Sequence, residues 1–139
     1  MYKLPDGQLD IFSLIGGLED MLDPSNRWVK RAKETPWDAL ESELVPVLYS
    51  SRGAPAKPLR VMLGAMMIGD TMSVSDAETV RQIQENPYLQ YFIGLTEFTH
   101  EAVFAPLSLT LFRKRITPEI EKKIRTIIRE NAPKAENKE

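Results

Sequence analysis

The chain has 139 residues and a formal net charge of −2, with 42% hydrophobic and 27% charged residues, a composition that suits one folded domain with a single core and excludes wholesale disorder. It holds no cysteine and one histidine, which excludes a disulfide framework and a thiolate metal site, so neither a metal nor another cofactor is expected. The start, Met1-Tyr-Lys-Leu-Pro-Asp6, lacks the basic and unbroken apolar segments of a signal peptide, and no apolar run approaches the roughly 18 residues of a membrane span; a soluble cytoplasmic protein, away from membranes, is expected.

Helix signals are frequent and strand signals few. The pattern predicts helices over 8–20, 24–33, 36–48, 58–69, 76–85, 87–93, 106–115 and 118–130. The expected class is all-α: a compact multi-helix domain over 1–131, followed by a disordered tail over 132–139. Asp23-Pro24, Thr35-Pro36 and Thr117-Pro118 each place a side-chain acceptor before a proline suited to the first helical position, and Ser75-Asp-Ala-Glu78 fits a capping box. Thr35-Pro-Trp-Asp38 is a shorter-armed variant of that box.

Segment 59–69 is apolar nearly all round, as an enclosed central helix must be. Met62, Met66 and Met67 then fill core space, and Gly64 admits a close neighbour. The Pro/Gly-rich connector 49–58 precedes it. Arg52, Lys57 and Arg60 stand along this stretch, either as cations for a phosphate track or as solvated loop charges. Residues 94–105 lack helical period; Phe98, Val103 and Phe104 are expected to pin this loop to the core, with His100 an ordinary loop residue.

The segment Pro106-Leu-Ser-Leu-Thr-Leu-Phe-Arg-Lys-Arg-Ile116 has the pattern of a recognition helix. Leu107 and Leu111, with Leu109 and Phe112, are expected inward. Ser108, Thr110, Arg113, Lys114 and Arg115 then occupy the outer surface, where they suit base edges and phosphates. The helix at 87–93 is the expected packing partner, giving a helix-turn-helix-like C-terminal half with a long connector. In the last helix Ile116, Ile120, Ile124, Ile127 and Ile128 form a stripe that closes the core or, alternatively, pairs with a second copy.

Charge is unevenly distributed. Residues 1–50 hold five Lys/Arg against nine Asp/Glu, a balance of −4, whereas residues 105–129 hold seven Lys/Arg against two Glu, a balance of +5. Local charge within about 8–10 Å decides what a surface attracts, so the second stretch suits a polyanion. The acids Asp70, Asp76, Glu78, Glu85 and Glu97 show no convergent pattern for metal-assisted chemistry, with Asp76 and Glu78 assigned to the capping box. Phosphate-binding glycine loops and nucleophile motifs are absent, and no enzyme activity is expected.

Three blocks, in order, carry a resemblance: Arg52-Gly-Ala-Pro-Ala-Lys-Pro-Leu-Arg60, Glu85-Asn-Pro-Tyr-Leu-Gln-Tyr-Phe92 and Ser108-Leu-Thr-Leu-Phe-Arg-Lys-Arg115. Over about 22–116 the chain resembles the N-terminal domain of bacterial insertion-sequence transposases of the InsH type, whose RNase-H-like catalytic domain with its Asp-Asp-Glu metal site is separate. That catalytic domain is not expected after Ile116. The resemblance implies binding of double-stranded DNA at terminal inverted repeats. It points first to Arg113, Lys114 and Arg115, then to Ser108 and Thr110, then to Arg52, Lys57 and Arg60. Where the family usually has Asp-Pro-Ser-Ser-Leu, this chain has Ala105-Pro106-Leu107-Ser108-Leu109, without the capping carboxylate. The alternative is a protein-interaction or dimerisation module, paired with itself or with a transposase catalytic domain, or a degenerate fragment that does not touch DNA.

Overall fold

Local chemistry starts most of the helices. Thr117 and Ser75 accept the backbone N–H groups of Ile120 and Glu78, as their sequence positions require, and open α8 (Pro118–Glu130) and α5 (Asp76–Glu85). Asn86 accepts the Tyr88 N–H at 2.8 Å and opens α6 (Pro87–Phe92), with proline at the first helical position. The remaining elements are α1 (Leu18–Met21), α2 (Arg27–Glu34), α3 (Trp37–Leu48), α4 (Leu59–Met72) and α7 (Pro106–Arg115). The computed structural model describes residues 17–49 and 57–131. Expectations for the first helix before residue 17, for Arg52 with most of the connector, and for the tail lie outside the described residues.

Among the described residues the structure is all-α. One hydrophobic cluster takes buried side chains from every helix from α2 to α8. At its centre α4 buries Leu59, Val61, Met62, Leu63, Gly64, Ala65, Ile68 and Gly69, and it packs against α3, α5 and α7. A Cβ on Gly64 would lie 3.1 Å from Ile93 Cγ2 at the end of α6, so the glycine does admit a close neighbour. Phe92 sits between two tryptophans, edge-on to Trp28 at 5.0 Å and to Trp37 at 5.4 Å, an arrangement that adds to plain area burial.

Several local expectations need correction. The acceptor that opens α2 is Asn26, not Asp23; Asp23 instead turns back on the Ser25 N–H and hydroxyl. Thr35 closes α2, its hydroxyl donating to the Arg31 carbonyl, and α3 starts without a side-chain cap. The return half of the Ser75 capping box does not form, because Glu78 accepts from Arg81 and Gln82.

Loop 94–105 is held differently as well. Phe104 is buried, but Phe98 is exposed and stacks edge-on to His100. Fully buried Gln90 secures the loop: its amide donates to the Ile83 and Thr99 carbonyls at 3.0 and 2.9 Å, and its carbonyl accepts the Thr99 N–H at 2.9 Å. The isoleucine stripe does meet the core, with Ile124 and Ile127 buried, Ile116, Ile120 and Ile128 partly so, and α8 packed on α3.

Candidate nucleic-acid interface

α7 supplies the centre of the candidate interface, and its orientation departs from the sequence pattern. Leu109 and Phe112 enter the core, whereas Leu107 and Leu111 are 64% and 50% exposed. The pattern favours the other pair because both faces of this helix carry leucine. The helices against it decide the matter: α7 packs on α4 and α5, rather than on α6 as a helix-turn-helix pairing would require.

Packing also sorts the basic residues. Arg113 turns back onto the fold, its Nε 2.8 Å from Asp76 Oδ1 and its Nη1 2.9 Å from Asp70 Oδ1. Burial lowers the guanidinium's proton affinity, but the hydrogen bonds to Asp76 and Asp70 outweigh it and hold the pKa above the ordinary arginine value. Thr110 joins the same cluster, donating to Asp76 Oδ2 at 2.7 Å. Gly69 makes room for it, since a Cβ there would meet Thr79 Oγ1 at 2.6 Å and Arg113 Nη2 at 2.9 Å. Asp76, assigned from sequence to the capping box, thus pairs with α7, and two of the acids do converge, on a cation of this chain. Arg113 and Thr110 are ties between α4, α5 and α7, not the free outer-surface groups the pattern suggests.

Arg60 is likewise committed. Its Nε and Nη2 donate to the carbonyls of Phe92 and Tyr91 at 3.0 and 3.2 Å, while its guanidinium lies 4.7 Å from the centre of the Trp37 ring. These carbonyls end α6, where a cation is favoured. Burial pushes Arg60 below the ordinary arginine value.

Lys57, Ser108 and Arg115 come together. They line one groove of about 350 Å³ with Met62, Phe104, Ala105, Leu111 and Phe112. Tyr49 donates from its hydroxyl to the Lys57 carbonyl at 3.0 Å, and Arg115 donates to the Leu48 carbonyl at 3.0 Å, so the end of α3 fixes both basic residues. Burial pushes the Tyr49 hydroxyl pKa up, against a smaller lowering by nearby Arg115. The Leu48 carbonyl is neutral, so this bond does not pair Arg115 with an opposite charge.

Lys114 is exposed, as are Lys122, Lys123, Arg125 and Arg129 on α8. Lys123 approaches Glu43 at 3.5 Å and Arg125 pairs with Glu121 at 2.7 Å. Lys57, Lys114, Arg115, Lys122 and Arg129 have no carboxylate partner among the described residues. Ala105 stands at the start of α7 with no side-chain cap, and no acidic residue occupies the first turn. The positive end of that helix dipole is left without a compensating carboxylate.

Sequence reasoning missed Arg31, whose guanidinium lies 5.4 Å from the Trp28 ring centre and 5.6 Å from that of Phe92 and donates to Thr71 Oγ1 at 2.8 Å. The i, i+3 spacing of Trp28 and Arg31 on one helix was the available signal. Among the described residues no helix is long and apolar enough to cross a membrane.

Residues 17–115, from the turn before α1 to the end of α7, match the family described as Transposase domain (DUF772). The chain is also 34% identical over 113 residues to "Uncharacterized protein ORF8 in nfe locus" of Rhizobium meliloti, an alignment that covers 81% of this chain and 53% of that protein. The chain thus spans about half the length of the curated relative it matches. No solved structure matches it. The match takes in all three sequence blocks and the two helices that line the groove, α4 and α7, and the chain belongs to this transposase domain family.

Proposed function

We propose that the chain is a duplex-DNA-binding domain of an insertion-sequence transposase of the InsH type, that it recognises the element's terminal inverted repeats, and that it has no catalytic activity of its own. The observation that carries this reading is a group of cations in and after α7 and on its groove that have no carboxylate partner among the described residues: Lys57 and Arg115 on the groove, Lys114 next to Arg115, and Lys122 and Arg129 on α8, with Arg27 and Lys30 likewise unpaired on α2. Uncompensated cations on neighbouring elements are what phosphate contacts need. Membership of a transposase domain family makes DNA the natural polyanion. The non-catalytic part is supported by Asp70 and Asp76, whose charges are already met by Arg113.

Titration of a labelled duplex at several salt concentrations tests the reading. With about 3–5 phosphates neutralised, log K falls with log salt at a slope of roughly −3 to −4.5. Absence of binding at low salt overturns it.

A dimerisation or protein-interaction module is the second reading, and exposed Leu107 and Leu111 favour it. Sedimentation separates the two: a dimer of the parent chain that Leu111→Asp converts to a folded monomer supports the second.

A further inference from the structure

The most unusual part of the α7 surface is apolar. Leu107 and Leu111 lie on successive turns of one face, 64% and 50% exposed, and Lys114 continues that face by a further turn. Arg115 and Ser108 border it on the groove side. The face has few groups able to read bases by hydrogen bonding, because Arg113 is held by Asp70 and Asp76 and Thr110 by Asp76. It therefore cannot use Arg113 for the bidentate contact by which arginine reads guanine.

We propose that Leu107 and Leu111 are specificity-determining residues that cover thymine C5-methyl groups in the major groove, while Lys114 and Arg115 hold the flanking phosphates. The inference rests on the DNA-binding reading above and names the feature of the duplex that it reads. Thymine's methyl is the one apolar group that base edges present in the major groove, and phosphates border it on either side. Leucines bordered by cations are the complement of that surface. Charge selects DNA over a protein partner: α7 carries Lys114 and Arg115 in its last turn without carboxylate partners among the described residues, no acidic residue in its first turn, and no side-chain cap.

The experiment compares a labelled alternating dA-dT duplex with the same duplex carrying deoxyuridine in place of thymidine, a change that removes the methyl and keeps the hydrogen-bonding edge. Both are titrated at low salt with the parent chain, with Leu107→Ala and Leu111→Ala singly, and with the double variant. The parent is expected to prefer the thymidine duplex by about four-fold per methyl covered, hence about 4- to 16-fold in all. Each single substitution removes about four-fold of that preference. The double variant binds the two duplexes with equal affinity. Because the leucines are exposed, thermal unfolding of the variants should match the parent. Binding to both duplexes with equal affinity by the parent overturns the methyl-reading proposal and leaves DNA binding standing, as does a preference that survives the double substitution. No binding to either duplex overturns both readings. A parent dimer that the leucine substitutions convert to monomer identifies a second copy as the occupant, which also overturns the proposal.

Discussion

Arg31 and Arg60 serve the fold, whereas Lys114, Lys122 and Arg129 do not. Around the α2–α3–α6 junction, Arg31 and Arg60 lie against the rings of Trp28, Phe92 and Trp37 and donate to neutral oxygens. Burial pushes both below the ordinary arginine value. Along α7 and α8, Arg113 is taken by two carboxylates, whereas Lys114, Lys122 and Arg129 face water with none among the described residues. The lesson is that a basic motif does not map a DNA surface until its structural cations are subtracted. The fold consumes the planar, donor-rich guanidiniums of Arg31, Arg60 and Arg113, whereas Arg129 stays outside with Lys114 and Lys122.

The largest effect should come from the aromatic junction. Phe92→Ala removes the ring between Trp28 and Trp37 and a surface beneath Arg31, and is expected to cost about 3–5 kcal/mol in urea unfolding. A loss comparable to that of an exposed residue would break the division between the two sets of cations. Next in size, Arg60→Ala leaves the Tyr91 and Phe92 carbonyls without their donor and is expected to cost about 1.5–3 kcal/mol. Arg60→Lys should recover little of this, since an ammonium does not reproduce the fork that spans two carbonyls and stacks on Trp37.

Arg113→Ala sharpens the comparison from the other side. It breaks a partly exposed tie, so its expected cost is about 1 kcal/mol, and the salt slope of DNA binding should stay as in the parent. A large fall in that slope with unchanged stability would return Arg113 to the DNA-contacting set. The smallest stability effect belongs to Lys114→Ala and Lys122→Ala, each within about 0.5 kcal/mol. For each of these, the magnitude of the salt slope should drop by about 0.9 if the lysine meets a phosphate.

Much of the fold was legible because helix starts are written locally. Ser75 and Thr117 act within a few residues of themselves, and α5 and α8 begin where these caps predict, while α6 and α7 begin at the expected residues 87 and 106. Asn26 was overlooked because Asp23-Pro24 offered an equally good start; Asp23 instead takes the Ser25 N–H and hydroxyl, and Asn26 takes the cap. The facing of α7 could not be read: Leu107 with Leu111 and Leu109 with Phe112 are comparable apolar pairs, and contact with α4 and α5 selected the second. For the candidate interface, Lys57, Ser108 and Arg115 were singled out separately from the sequence, and the structure places them on one groove. The commitments of Arg60 and Arg113 were hidden because their partners lie far away in sequence. Glu85-Asn-Pro-Tyr-Leu-Gln-Tyr-Phe92, noticed as part of a DNA-binding resemblance, proves to be a structural block: it supplies a cap, a buried amide, a central ring and the carbonyls that hold Arg60.

That buried amide governs how the molecule opens. Loop 94–105 has no ladder of its own, and Gln90 holds it by a reciprocal pair of bonds to Thr99. In native-state hydrogen exchange, the Thr99 amide should therefore be slow among fast neighbours, with its protection matching that of α6 rather than that of the loop. Gln90→Glu would exchange the amide's donor for an acceptor facing two carbonyls, and the loop would open as a unit while the helices beneath it stayed closed. On that outcome Gln90, aided by the Gln84 bond to the His100 carbonyl and the Leu18 N–H bond to the Thr96 carbonyl, would divide the loop from the helices as a separate opening unit.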